Sequence, residues 1–190
     1  TIRGTGLLNR SRILSSMKEF EGNKDVIELS KSGGNFVNYK PSRYYYIHKA
    51  LKNLPIDVTQ STLIDIGSGS GRVLCTALMF GFKKVIGIEI SKELINENLD
   101  NIKRVEVRLN KSFNYMHYNL DIRQYDYKDD FDVVFMYNPI RGEILSTCIS
   151  NICQRNKVFY LCYVRNKADK KLSNKNKKLK LFKKVNCISQ

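Results

Sequence analysis

The sequence has no apolar run long enough to span a bilayer and no basic, apolar, small-residue leader at its start. It therefore predicts a soluble protein that stays clear of membranes and of the secretory route. Histidine is scarce, at two residues. The five cysteines, Cys75, Cys148, Cys153, Cys162 and Cys187, form no CxxC pair and have no histidine companion at metal-ligand spacing. The spacing predicts no zinc site, and an odd number of cysteines inside apolar segments predicts buried thiols in a reducing, cytoplasmic compartment. Acidic residues are outnumbered, 18 against 33 Lys and Arg, for a net charge of +15. No internal repeat is present, and 190 residues suffice for one well-buried α/β domain where two would be cramped.

The positive charge is unevenly spread. Between Arg165 and Lys184 there are ten Lys or Arg and one Asp, which points to a nucleic acid or an acidic partner. A solvated lysine-rich surface is the other reading of the same run.

What the sequence does contain is an apolar run that ends in alternate glycines, Thr62-Leu63-Ile64-Asp65-Ile66-Gly67-Ser68-Gly69-Ser70-Gly71. Leu63, Ile64 and Ile66 predict a short buried strand, and Arg72 to Phe80 takes helical spacing, so the glycines occupy a sharp strand-to-helix turn. In open α/β sheets that turn is a ligand site, because glycine lets a ligand lie against backbone while the helix start offers unpaired N–H groups.

The flanking elements follow from periodicity. Residues 1–38 predict an N-terminal helical arm or cap ending near Ser32-Gly33-Gly34, and residues 39–190 the main domain, whose chain ends abruptly. Ser42 is placed to cap a helix with Tyr44, Ile47, His48 and Leu51 on one face and Pro55 beyond its end. His48 reads as a packing residue, and Tyr44-Tyr45-Tyr46 as core or lid. After the loop, Gly81 stops a helix, Val85 to Ile90 forms a second strand, and Ser91 caps a helix lined by Leu94, Ile95, Leu99 and Ile102. His117 to Ile122, Phe131 to Tyr137 and Val158 to Val164 predict further strands, with a helix through Ile144 to Ile152 and a last strand within Leu179 to Ile188. Strand and helix alternate, so the fold class is α/β, a mostly parallel sheet with helices on both faces.

Three details select the ligand. The dinucleotide fingerprint wants glycine or alanine where this chain has Arg72. Asp65, two residues before Gly67, would repel a pyrophosphate and welcome an ammonium and a sulfonium. No P-loop Lys-Ser/Thr follows the glycines.

Residues 62–138 resemble the core of the class I, Rossmann-like S-adenosylmethionine-dependent methyltransferases. Leu63 to Gly71 matches their first motif, Ile88-Glu89-Ile90-Ser91 the second, and Tyr137-Asn138-Pro139-Ile140 resembles the fourth. The resemblance implies a doubly wound sheet and S-adenosyl-L-methionine as cofactor. It implies that Gly67, Ser68, Gly69 and Gly71 form the cradle, that Asp65 orients the loop and the ligand's amino group, and that Glu89, with Ile90 beside it, accepts the ribose hydroxyls. Asp121 with Ile122 resembles the adenine-binding position, and Asp126 competes for that role.

Asn138 and Pro139, with Tyr137 as a wall, are implied as the catalytic residues, their oxygens holding a target nitrogen for in-line attack. Ile140 and Arg141 replace the family's second proline and aromatic residue, which counts against a nucleobase or glutamine acceptor. A shorter similarity to small protein-lysine methyltransferases, through Tyr39-x-Pro41-Ser42, nominates Tyr39 as a lid. The reading is therefore transfer of a methyl group to a nucleophile, nitrogen by preference, on an unknown acceptor that includes protein. No general base is visible in the sequence. A basic nucleic-acid-binding or scaffold protein with a vestigial pocket is the alternative, and a nicotinamide oxidoreductase a third.

Overall fold

The computed structural model describes residues 41–137, 139–155, 157–165, 182–184 and 188–189. The expected N-terminal arm, Tyr39, Asn138, Cys187 and most of the lysine-rich stretch lie outside the described residues. The elements in order are α1 (Tyr44–Lys52), β1 (Thr62–Ile66), α2 (Arg72–Phe80), β2 (Lys84–Glu89), α3 (Lys92–Leu109), β3 (Tyr115–Asn119), β4 (Val133–Tyr137), α4 (Gly142–Cys153), β5 (Phe159–Arg165), β6 (Phe182–Lys184) and β7 (Ile188–Ser189).

The strands lie in the order β3-β2-β1-β4-β5-β6, with β7 also pairing β5, and every pairing is parallel. Parallel neighbours cannot be joined by a hairpin, so the crossovers between the central strands are made by α2, α3 and α4. The α1, α2 and α3 helices cover one face, where Leu63, Val85, Val133, Phe135 and Cys162 point, and α4 covers the other over Ile64, Ile66, Ile86, Val134 and Met136. Both faces being covered explains why β1, β2 and β4 are apolar almost throughout. The chain builds outward from β1 to β3, then returns to the far side of β1 with β4. This reversal opens a crevice beyond the C-terminal ends of β1 and β4, where ligands bind in such sheets.

Several expectations hold in detail. The α2 helix spans Arg72–Phe80 and Gly81 is its C-cap, with the Phe82 N–H donating to Ala77 O at 3.1 Å. Ser91 caps α3, its hydroxyl accepting from the Leu94 N–H at 3.3 Å and donating to Glu93 at 2.8 Å. His48 packs against the Phe80 ring at 5.3 Å between centroids. Cys75, Cys148 and Cys162 are buried free thiols, each pushed up to about 12 by burial.

Others are corrected. Arg43, not Ser42, takes the N-cap of α1 and makes no side-chain cap bond. The third strand is Tyr115–Asn119, earlier than expected, because Asp121 caps a short 3-10 turn at Ile122–Gln124 and ends extension there. The α3 helix runs on to Leu109 and is rotated, burying Asn98 fully while Leu99 is only half-buried. The last strand is split into β6 and β7. No helix among the described residues is long and apolar enough to cross a membrane.

Candidate active site

The β1 strand ends by turning into the glycine loop, and that turn is pinned to β2: the Gly67 and Ser68 N–H groups both donate to Ile88 O, at 2.9 and 3.0 Å. Gly67 has φ +75°, and a Cβ there would lie 2.4 Å from Cβ of Pro139 in the loop after β4. The two loops that flank the crevice therefore touch through a position only glycine can fill. Gly71, with φ +84°, is the N-cap of α2 and offers no side chain to the first turn. A Cβ on Gly71 would lie 1.9 Å from Asn98 Oδ1 of α3. Three residues further along α3, Asn101 Nδ2 donates to Ser70 O at 2.9 Å, so two asparagines of one helix shore up the loop from behind.

Two carboxylates close this space. Glu89, the last residue of β2, is buried and accepts three backbone N–H groups: Gly69 at 2.9 Å on Oε2, Ile90 at 2.9 Å and Ser91 at 3.0 Å on Oε1. It clamps the glycine loop to the start of α3. A carboxylate has about four acceptor sites, so capacity remains for a further donor.

Asp65 is the second, at 2% exposure on β1. It pairs in register with Gly87 of β2, two residues before Glu89, and makes no hydrogen bond among the described residues. Burial, then the charge of Glu89, hold its carboxyl well above the usual carboxylate range. The two acids thus share one side of the molecule and one electrostatic field.

The edge of the site is drawn by β3. Asn119 Nδ2 donates to Glu89 O and Ile90 O at 3.2 and 2.9 Å, and the Leu120 N–H to Glu89 O at 3.2 Å. This ties the Asp121-Ile122 turn to the end of β2. Asp121 is buried, and both of its oxygens are held by the Arg123 guanidinium, which keeps its carboxyl below the ordinary value. Asp126, the competing position, is exposed and paired with Lys128 at 2.9 Å. Ile122 is buried and Ile90 half open at 40%. Tyr137, the last residue of β4, is half-buried.

The donor set suits a cationic nucleoside. Among the described residues Asp65 is a buried acid that makes no hydrogen bond and Ser68 Oγ is buried without one, and the loop floor lacks side chains at Gly67 and Gly69. A ligand bearing an ammonium group satisfies the first, and one with hydroxyls can reach Glu89. Sequence reasoning missed Asn98, Asn101 and Arg123. The signal for the first two was present, since they are polar residues three apart on the apolar stripe of α3. Nothing in the pattern announced that Arg123 would cover Asp121.

A parallel sheet with its crevice at the chain reversal, a glycine cradle after β1 and an acid ending β2 together define a nucleoside-binding α/β protein. Residues 57–190 match the family model described as a methyltransferase domain, and the chain belongs to that family, the S-adenosylmethionine-dependent methyltransferases. S-adenosylmethionine is accordingly its cofactor.

The chain is 30% identical over 118 residues to ribosomal RNA small subunit methyltransferase D of Haemophilus influenzae, covering 60% of this chain and 61% of that protein. It is 43% identical over 49 residues to ribosomal protein L11 methyltransferase of Escherichia coli O8, covering 26% of this chain and 17% of that protein. The chain thus spans between 17% and 61% of the length of these two relatives. Among solved structures, an RNA methyltransferase from Salinibacter ruber in complex with S-adenosylhomocysteine is 26% identical with a TM-score of 0.44, covering 52% of this chain and 60% of that one.

Proposed function

We propose that this chain binds S-adenosylmethionine in the crevice and transfers its methyl group to a nitrogen acceptor carried by a macromolecule. The observation that carries the reading is Asp65: a carboxylate buried near the end of β1 with no hydrogen bond among the described residues is stabilised in its charged form by a cation that enters beside it. Gly67, Ser68, Gly69 and Gly71 form the floor under the methionine and ribose, Asp65 meets the ammonium group, and Glu89 takes a ribose hydroxyl on its spare acceptor capacity. Ile90 and Ile122 flank the adenine, and Asp121 accepts its exocyclic amine once Arg123 swings aside. Tyr39 is assigned as a lid.

When bound, the cofactor would supply an electrophilic methyl group on a sulfonium, with a neutral thioether as the leaving group. The chain's own contribution is alignment and exclusion of water. Pro139, held against Gly67, fixes the acceptor loop next to the cradle. Asn138 and the Pro139 carbonyl orient the acceptor nitrogen, and Tyr137 walls the approach. The two curated relatives carry names that specify ribosomal RNA and a ribosomal protein, which supports a macromolecular acceptor. Incubating the chain with methyl-labelled cofactor and cell lysate, then separating protein, nucleic acid and small molecules, tests this. Label is expected in a macromolecular fraction. Cofactor binding with no transfer to any fraction would instead support a basic scaffold with a vestigial pocket.

The raised pKa of Asp65 makes a signed prediction. A carboxyl raised by folding contributes stability that is present below about pH 4 and is lost as pH rises through the folded value. Asp65→Asn is therefore expected to raise the melting temperature of the ligand-free protein at pH 7, with the gain vanishing near pH 4. At a pH below the folded value, binding an ammonium draws Asp65 toward its ionised form and releases a proton. Titrating S-adenosylmethionine calorimetrically in two buffers of different ionisation enthalpy should show that release in the wild type and none in Asp65→Asn. Equal release in both would remove Asp65 from the site.

A further inference from the structure

Arg72 stands where the dinucleotide pattern wants glycine or alanine, and it is the first residue of α2, directly after the glycine cradle. Helical side chains lean toward the helix N-terminus, so Arg72 leans back toward the crevice. Its guanidinium lies 5.0 Å from the Tyr44 ring, and Nη1 donates to Ser42 O at 3.4 Å, so the segment leading into α1 holds it in place. The residue is half-buried, its Nε is buried without a hydrogen bond, and no acid pairs with it among the described residues. A cation partly withdrawn from water gains most from an anion that arrives beside it.

Its counterpart lies on the same face of the sheet. Asp65 follows Leu63 by two residues on β1, so both side chains point to the face that α1, α2 and α3 cover. Asp65 is buried and makes no hydrogen bond among the described residues. An acid without a cation and a cation without an acid thus flank one glycine loop, and they do not pair with each other. The other cations near this edge are placed differently: Arg43, Lys92 and Arg141 are exposed, and Arg123 is held by Asp121. No side chain caps α2, so its first turn keeps the positive potential of a helix N-terminus on the side of Arg72.

The end group of an amino acid carries both of the charges that this arrangement lacks, on neighbouring atoms. We propose that Arg72 binds the carboxylate of the cofactor's amino-acid end while Asp65 takes its ammonium group, so that the two sides of the glycine loop select a zwitterion. This rests on the methyltransferase reading and deepens it, adding the residue that selects for the carboxylate. The planar donors of a guanidinium match the two oxygens of a carboxylate, and the unbonded Nε is one of those donors. Tyr44 and Ser42 hold the group before a ligand arrives, which lowers the cost of ordering it on binding.

The test is calorimetric titration of the whole chain with S-adenosylmethionine and with decarboxylated S-adenosylmethionine, which keeps the ammonium, the sulfonium and the nucleoside. The wild type is expected to bind S-adenosylmethionine at least about 10-fold more tightly than the decarboxylated ligand. Arg72→Met, which keeps an apolar stem against Tyr44, should lose at least about 10-fold toward S-adenosylmethionine and less than about 3-fold toward the decarboxylated ligand. Arg72→Lys keeps the charge without the planar fork and should fall between wild type and Arg72→Met. Equal affinity of the wild type for the two ligands would overturn the proposal and leave the methyltransferase reading in place, and that comparison does not depend on how any variant folds. Arg72→Met losing both ligands alike would also overturn it, marking Arg72 as an anchor for α1 alone. A wild type that binds neither ligand would overturn the methyltransferase reading and the carboxylate site with it.

Discussion

Glu89→Ala is expected to lower the affinity for S-adenosylmethionine at least about 100-fold, measured by calorimetry. The side chain ends β2 and does two jobs at once. It accepts the Gly69, Ile90 and Ser91 N–H groups, which holds the glycine loop in its cradle shape, and it retains acceptor capacity toward a ribose hydroxyl. Hydrogen bonds to a charged acceptor contribute about 1.5–3 kcal/mol each, and a factor of 100 requires about 2.7 kcal/mol, so removing the ribose bond together with part of the loop order is sufficient. Glu89→Gln keeps one acceptor oxygen but turns an amide N–H toward backbone donors, and should fall between the two. Cofactor binding by Glu89→Ala within a factor of 3 of wild type would show that the ligand lies elsewhere.

Gly71→Ala carries the second large effect, this time on stability. At φ +84° an alanine is strained in its own backbone, and its Cβ would sit 1.9 Å from Asn98 Oδ1 and 2.3 Å from Asn98 Cγ. Asn98 is fully buried among the residues of α3, so it has little room to withdraw. Backbone strain of about 1–3 kcal/mol and overpacking of a similar size together predict a loss of about 3 kcal/mol or more. For a chain of this length that lowers the melting temperature by roughly 6–12 °C.

The pairwise origin can be checked by scanning calorimetry. Asn98→Ala alone removes a buried amide without a hydrogen-bond partner and should change the melting temperature little. The double variant should recover the steric part of the loss and keep the backbone part. If Gly71→Ala melted with the wild type, the close approach of α3 to the loop would be wrong.

How much of this was legible depended on where each residue lies in the sheet. The β1, α2 and β2 elements were read closely because their periodicity is uninterrupted and glycine marks each turn. The β3 strand is at the sheet's edge and half-exposed, so its apolar signal is thin, and the expected strand slid into the Asp121 turn. The last turns of α3 were obscured by Lys103, Arg104, Glu106 and Arg108, although Ile102 and Val105 continue its buried stripe.

For the site, the acids and glycines were legible because one-dimensional spacing carries them. Contacts that depend on how elements pack were not. Asn98 against Gly71, Pro139 against Gly67 and Arg123 across Asp121 exist only once the strands are ordered. Tyr39 and Asn138, both nominated from the resemblance, lie outside the described residues.

The central claim is that Asp65 and Glu89 form a cradle for a positively charged nucleoside at the reversal of the sheet. A crystal structure of the chain with S-adenosylhomocysteine tests it most directly, since that ligand keeps the ammonium and the ribose. The account predicts the ammonium within about 3 Å of an Asp65 oxygen and a ribose hydroxyl at the same distance from Glu89, over Gly67 and Gly69. The nucleoside bound away from β1 and β2, or Asp65 left dry and unbonded beneath it, would contradict the account.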